Sequence, residues 1–278
     1  MIKIEFALQA EDLHELLKST LAISYPKDIV LKISRNALSV TQLNAAHTIL
    51  LHSTINLSKR KNTECMDTQI EIKREIAQSL FRLLKIQKTG KINAKIDTIR
   101  NRMMFNCQES SIIIPYRTTQ VAYPDSNKVM TKNWCIVDGP QFRTIIRRLS
   151  PLKPTLTFMG INKKLVIFAR PTDTAKTPYD HAMYFKLTSE TEIKPFLCNI
   201  DYSLIYSLLN IFREKKIYIG SDGMDRPLAI RQKTKTMLIR VAIASMVFKR
   251  PELAEELLDK AVKAGKVPPR WFEYIRKM

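Results

Sequence analysis

The sequence predicts an α+β chain whose antiparallel sheets are built from four copies of one strand–helix–strands unit. Three observations point there. Four stretches carry apolar residues at helical spacing. Between them lie short segments that alternate apolar and polar residues, the period of a half-buried strand. The first apolar anchors of the four helices, Leu13, Ile76, Phe142 and Leu204, stand 63, 66 and 62 residues apart. A near-constant period marks an internal repeat.

The helices are residues 11–22 (EDLHELLKSTLA), 73–86 (KREIAQSLFRLLKI), 141–149 (QFRTIIRRL) and 202–212 (YSLIYSLLNIF). The first puts Leu13, Leu16, Leu17 and Leu21 on one side, a face suited to packing on a sheet. Alternating runs at 29–34 and 49–55 flank a polar turn, residues 42–47, that contains His47. Further strands are expected at 91–99, 111–116, 156–158, 165–169, 183–187, 216–220 and 237–244. Residues 116–134 are polar, contain Pro124 and lack apolar periodicity. Their length exceeds an ordinary loop, so they read as a connector between a domain at 1–115 and a second at 135–246.

Residues 247–278 do not fit the repeat. The stretch 251–265 opens on Pro251, places Glu252, Glu255 and Glu256 early and ends at Gly265, which are helix start and stop signals. Trp271, Phe272, Tyr274 and Ile275 follow within five residues. This extension either packs on the second domain's outer sheet or offers its aromatic anchors to an apolar pocket.

Charge narrows the function. The 278 residues carry 46 Lys+Arg against 26 Asp+Glu, a net +20, with a pI near 9.9. Such an excess favours a polyanionic partner, nucleic acid first and an anionic membrane second. No stretch approaches the roughly 18 apolar residues of a spanning helix. The N-terminus has acids where a secretory signal has its apolar core, so an intracellular protein is expected. Cys65, Cys107, Cys135 and Cys198 are widely spaced with no C-x-x-C pair, the pattern of reduced thiols rather than of a zinc site or disulfide framework. No Gly-rich phosphate-binding motif is present, and no cofactor is expected.

The polar sides of the helices are mostly basic. The first has Lys18, beside Glu11, Asp12 and Glu15; the second has Lys73, Arg74, Arg82 and Lys85. The third has Arg143, Arg147 and Arg148, and the fourth is followed by Arg213, Lys215 and Lys216. A charge run is ordinarily a solvated helix face. One sign shared by three of four equivalent helices points further, to a surface that tracks phosphates.

Residues 31–55 (LKISRNALSVTQLNAAHTILLHSTI) resemble the strand–turn–strand of DNA sliding clamps of the proliferating cell nuclear antigen (PCNA) family. Residues 136–150 (IVDGPQFRTIIRRLS) resemble the entry and first helix of that family's second domain. Residues 206–230 (YSLLNIFREKKIYIGSDGMDRPLAI) resemble its second helix and the strands that follow. The similarity runs over residues 1–246 at low identity, and the order, spacing and fourfold repeat make it specific. The resemblance implies a two-domain sliding-clamp fold with inner helices against outer antiparallel sheets. It implies a non-enzymatic ring, a homotrimer closed head-to-tail, that holds double-stranded DNA without reading sequence. Such a ring is a processivity factor in replication and repair, opened by a clamp loader and tethering DNA polymerase and other clamp-binding proteins. Arg82, Lys85 and Arg147 match basic positions on inner helices; Arg143 and Arg148 are additional. Glu15 stands where the family tends to have lysine, a departure that weakens the first helix as a DNA contact.

The resemblance also gives His47 a role, as the rim of a surface pocket under the interdomain connector where partner peptides dock. The matching positions are Leu43, His47, Val121, Tyr123, Pro227 and a residue near Val241. No Cys, His or acid stands at ligand spacing from His47, so a pocket role is preferred to metal binding. Backbone pairing between strand 111–116 of one subunit and strand 183–187 of the next would close the ring.

Two departures frame the alternatives. Cellular clamps are acidic overall and end soon after the last strand, whereas this chain is +20 and extended. A basic viral-type processivity or transcription accessory factor, acting as monomer or dimer, is the main alternative. A checkpoint-type heterotrimer is a second. A Mg²⁺-dependent nuclease is the remote one, resting on the E-x-K triplet Glu71-Ile72-Lys73 with Asp67 as the nearest second acid.

Overall fold

The computed structural model describes residues 3–23, 27–57, 60–61, 68–86, 90–107, 110–124, 129–152, 154–170, 183–224, 226–246 and Lys263. They cluster in two compact units. Unit 1 holds the described residues of Met1–Ser126 and Lys233–Arg240, and unit 2 those of Asn127–Gln232 and Val241–Met278. No described helix is long and apolar enough to cross a membrane.

In unit 1, β1 (Lys3–Gln9) runs directly into α1 (Ala10–Ile23), with Glu11 and Asp12 at the positive end of the helix dipole. Then come β2 (Ile29–Ile33), β3 (Ala37–Leu43), β4 (Ile49–Asn56), β5 (Arg60–Lys61) and β6 (Thr68–Ile72). After α2 (Arg74–Ile86) follow β7 (Lys91–Asp97), β8 (Arg102–Cys107), β9 (Ser110–Pro115) and β10 (Arg117–Thr118). One antiparallel sheet has the order β5-β1-β7-β8-β9, and another places β10-β6-β2-β3-β4 side by side. Alternation decides the core: Leu38 and Val40 of β3 are buried while Ala37, Ser39 and Thr41 are half-exposed. Leu13, Leu16 and Leu17 of α1 are buried as well, each worth roughly 1.5–3 kcal/mol on the transfer scale. Two hydroxyls enter this core because they satisfy each other. Ser19 Oγ donates to the Leu16 carbonyl at 2.8 Å and lies 3.1 Å from Ser53 Oγ of β4. The His14 ring of α1 stacks on Phe81 of α2 at 4.6 Å.

In unit 2, β11 (Cys135–Asp138) leads into α3 (Gly139–Arg148) and a 3-10 turn (Ser150–Leu152). A two-stranded ribbon of β12 (Thr155–Arg170) and β13 (Met183–Asp201) leads into α4 (Tyr202–Leu208). Then come β14 (Lys216–Gly220), β15 (Leu228–Lys233) and β16 (Met237–Ile243), ordered β16-β15-β14-β11 in their sheet; of β16 only Val241–Ile243 belong to unit 2. Both helices begin where a strand ends in aspartate. Asp138 Oδ1 accepts from Gln141 N at 2.7 Å, and Asp201 Oδ1 accepts from Ser203 N at 2.7 Å. Asn133 pins the start of the unit: its Nδ2 donates to the Lys194 and Ser221 carbonyls, both at 2.9 Å, and its Oδ1 accepts from Lys194 N at 2.9 Å. Gly220 passes so close that a Cβ there would lie 1.8 Å from the Asn133 carbonyl oxygen.

Four expectations change. The fourth helix stops at Leu208 instead of reaching Phe212. Leu209 N donates to the Tyr206 carbonyl and Ile211 N to that of Leu208, so the chain tightens into turns while Leu209, Ile211 and Phe212 stay buried. β3 is a strand in its own right, which shortens the polar turn to residues 44–48. The runs at 156–158 and 165–169 belong to one strand, and 183–187 extends to Asp201. β7 ends at Asp97 because that carboxylate accepts from Ile99 N and Arg100 N, an Asx turn.

Candidate nucleic-acid interface

α2 is built to show cations. Ala77, Leu80 and Leu84 are buried, and the first N–H of the helix, on Arg74, donates to Asp28 Oδ1 at 3.0 Å. The helix axis is thereby fixed, and Arg82 and Lys85, three residues apart, stand exposed on one side. Lys73 is exposed just before the helix. Leu83 and Ile86 are exposed too, Ile86 to 80%. Arg74 is a correction to the expected phosphate contacts: it is half-buried and its Nη2 donates to the Leu21 carbonyl at 3.2 Å. Lys18 is a second correction. Only 14% of its side chain is exposed, and its ammonium lies 3.2 Å from Glu15, one turn earlier. Its charge is met within α1.

In unit 2, Phe142, Ile145 and Ile146 of α3 are buried, while Arg147 and Arg148 are exposed. Arg143 is half-buried, and its Nη1 donates to the carbonyls of Phe212 at 2.8 Å and Glu214 at 3.3 Å. Burial and then the charge of Arg147 hold its guanidinium below the usual arginine value, with Arg213 adding to the effect and Asp138 and Glu214 opposing it. The guanidiniums of Arg147 and Arg213 therefore each lie within electrostatic reach of that of Arg143. Like charges gathered with partly open faces favour the approach of an anion. α4 adds no charge of its own, since its exposed residues are Ser203, Tyr206 and Ser207. The cations attributed to it, Arg213, Lys215 and Lys216, follow in the loop and on β14, all exposed. Lys216 is paired with Glu190 at 2.8 Å, and that hydrogen bond and charge raise its pKa.

The proposed rim divides between the units. In unit 1 the Asn44 side chain organises the loop after Leu43: its Oδ1 accepts from Thr48 N and Ile49 N, both at 2.8 Å, and its Nδ2 donates to Thr48 Oγ1 at 2.9 Å. This holds His47, exposed, in the left-handed region at φ 55°, with Nε2 3.5 Å from the Lys27 ammonium. Val121 and Tyr123, both half-buried, follow β10 beside β6: Thr119 N donates to the Gln69 carbonyl and Val121 N to Gln69 Oε1. Burial, then the Glu71 carboxylate, raises the Tyr123 pKa. β6 and β2 lie between β10 and β3, so the strands that lead into these two parts of the rim stand about 14 Å apart across the sheet. In unit 2, Pro227 is half-buried but Val241 is 0% exposed. Val241 is a core residue of β16 and offers no side chain to a surface pocket.

No protein-family model and no curated protein matches this sequence. Solved structures do match. A chain in the structure of the C-terminal region of FEN-1 bound to A. fulgidus PCNA superimposes at a TM-score of 0.68, with 9% identity over 89% of this chain and 100% of that one. PCNA from Entamoeba histolytica gives 0.70, with 11% identity over 89% and 100%. The DNA polymerase sliding clamp from Pseudomonas aeruginosa gives 0.68, with 12% identity over 88% of this chain and 67% of that one. The chain has the sliding-clamp fold.

Within the clamp fold, the expected α+β class with helices against antiparallel sheets holds. Two residues that matter were not anticipated: Asp28, which caps α2 from a distance, and Gln69, which holds the connector. Neither carries a local signal, since each acts on a segment more than 40 residues away in sequence. The chain's cations are not confined to helices either. Lys91, Arg100, Arg102, Lys186 and Lys194 are exposed on strands and turns. Glu71 sits half-buried in β6, opposite Val30 and Arg117, and among the described residues no group of three or more His, Cys, Asp or Glu could hold a metal ion. Asp67, Cys65 and the extension with Trp271, Phe272, Tyr274 and Ile275 lie outside the described residues.

Proposed function

We propose that this chain is a DNA clamp: it holds duplex DNA without sequence preference and tethers enzymes of replication or repair. One observation carries the reading. Each unit has a helix that buries an apolar face and carries a pair of exposed cations, Arg82 and Lys85 on α2 and Arg147 and Arg148 on α3. Cations on a rigid helix neutralise phosphates without touching base edges, so binding is strong, salt-dependent and indifferent to sequence. The fold likeness supports the tethering role: one similar structure is of A. fulgidus PCNA with the C-terminal region of FEN-1 bound, another of a PCNA2–PCNA3 complex from Sulfolobus tokodaii. On this reading subunits assemble as a homotrimer and a loader opens it.

The test is duplex binding by the triple variant R82A/K85A/R147A across a salt series. Affinity should fall equally on unrelated sequences, and the slope of log affinity against log salt should flatten by up to about one unit per lost contact. An unchanged slope sinks the reading.

A second reading has its own observation. The exposed cations are uneven, since Lys18 is met by Glu15 and α4 shows no charge. A basic factor that tracks one side of DNA as a monomer or dimer would need only such a partial surface. Sedimentation at micromolar concentration with and without duplex separates the two.

A further inference from the structure

The uncharged side of α4 carries Tyr206, a large ring 45% exposed. It is not a loose surface residue. Its ring stacks on that of Tyr202 at 5.3 Å between centroids and 28° between planes. Tyr202 is itself buried, and its hydroxyl donates to the Ile146 carbonyl of α3 at 3.1 Å. That carbonyl belongs to the peptide leading into Arg147, which is exposed with Arg148 beside it. A chain of contacts inside unit 2 thus links a half-exposed aromatic ring, through Tyr202, to the backbone of α3 at the turn that carries Arg147 and Arg148.

We infer that Tyr206 is a stacking platform for an unpaired base, making unit 2 a binding site for single-stranded nucleic acid as well as for duplex. The inference rests on the nucleic-acid reading above and adds a second substrate class to it. Inside a duplex each base already has both faces covered by its neighbours, so an exposed ring meets only sugar edges and gains little. A single strand offers bare base faces, while its phosphates are met by the same arginines. Charge complementarity therefore brings either nucleic acid to this side, and the ring selects for the unpaired one. The physical position on DNA that presents both forms is a junction of duplex with single strand.

The preorganisation matters for magnitude. A free tyrosine loses rotamer entropy when it stacks, but here the ring already rests on Tyr202. Stacking on a protein aromatic is ordinarily worth a factor of roughly 5 to 150 in affinity per base. The other exposed residues of α4 do not compete for the base. Ser203 Oγ donates to Asp201 Oδ1 at 2.6 Å, and Ser207 Oγ to the Leu204 carbonyl at 2.8 Å.

The experiment uses the full chain and three fluorescent probes: oligo(dT), a duplex of equal length, and an abasic phosphodiester strand. Y206A should weaken oligo(dT) binding about tenfold while leaving the duplex and abasic strands within about twofold, and Y206F should bind as wild type. The salt slope on oligo(dT) should be unchanged by Y206A but flattened by R147A/R148A. A second readout requires no variant: photo-crosslinking with iododeoxyuridine strands should yield an adduct at Tyr206. An equal loss on all three probes, no loss on oligo(dT), or adducts only elsewhere overturns the inference. Wild type that binds duplex but is indifferent to Tyr206 removes this site alone; wild type that binds no probe removes the nucleic-acid reading with it.

Discussion

Arg143 Nη1 lies 2.8 Å from the Phe212 carbonyl, which makes this arginine a strut between α3 and the turn after α4 as much as a charge. Its second acceptor is the Glu214 carbonyl. Arg143→Ala should cost about 1–2 kcal/mol of stability, the value of hydrogen bonds from a charged donor to carbonyls left half-buried. Arg143→Lys should recover little, because the shorter lysine side chain does not carry its ammonium to where Nη1 meets both carbonyls. Arg147→Ala should leave the melting temperature unchanged and lower DNA affinity. Denaturant unfolding of the three variants separates strut from contact.

Asn133 joins three segments through one side chain. Asn133→Ala removes three hydrogen bonds and should destabilise by about 2 kcal/mol. Asn133→Asp should be nearly as harmful, since a carboxylate cannot donate to the Lys194 and Ser221 carbonyls. Thermal unfolding measures both; stability within 0.5 kcal/mol of wild type would show that the carbonyls find other donors.

Cys135 sets a pH dependence. Burial pushes its thiol from 9.0 to about 11, despite an opposing hydrogen bond from Ser189. The folded chain then keeps the proton in a range where the unfolded chain has lost it. Stability from this group is therefore complete below pH 9 and declines between pH 9 and 11, by about 1.4 kcal/mol per unit. Cys135→Ala should unfold less steeply with pH over that window in paired denaturant titrations.

β9 is the last strand of its sheet among the described strands, and Ile113 on it is exposed. An open edge with an apolar side chain is a pairing surface. If subunits join there, Ile113→Lys should weaken self-association at least tenfold in sedimentation, with no change in far-ultraviolet circular dichroism. An unaltered association constant would move the joint elsewhere.

The first three helices and most strands were legible because their burial follows local periodicity. Leu13, Leu16 and Leu17, or Leu38 and Val40, announce their faces by spacing alone. The fourth helix was overextended for the same reason: Leu209, Ile211 and Phe212 keep an apolar rhythm and remain buried, but in turns. The ribbon strands were read as fragments because Asn162, at φ 51° and between two register shifts, bends β12 without ending it. The candidate site was half legible. Arg82, Lys85, Arg147 and Arg148 are as exposed as a charge run suggests. Arg74 and Arg143 looked identical in sequence, yet each bonds a carbonyl more than 50 residues away. Only tertiary contact distinguishes a phosphate hook from a brace. Lys18 was different, since its partner Glu15 stands three residues away and could have been weighed.

The loop after β3 owes its form to Asn44, whose side chain makes three of its closing hydrogen bonds. Ala45 and Ala46 are exposed and supply only methyl groups. Shape and chemistry are thus assigned to different residues. The two alanines can be exchanged for other side chains without altering hairpin length or register, so lineages or engineers can retune what the loop greets while its outline stays fixed. With Cys65 replaced, a dye attached through a cysteine at position 46 would sit beside His47 as a reporter of docking, and Cys107, Cys135 and Cys198 are buried from the same reagent.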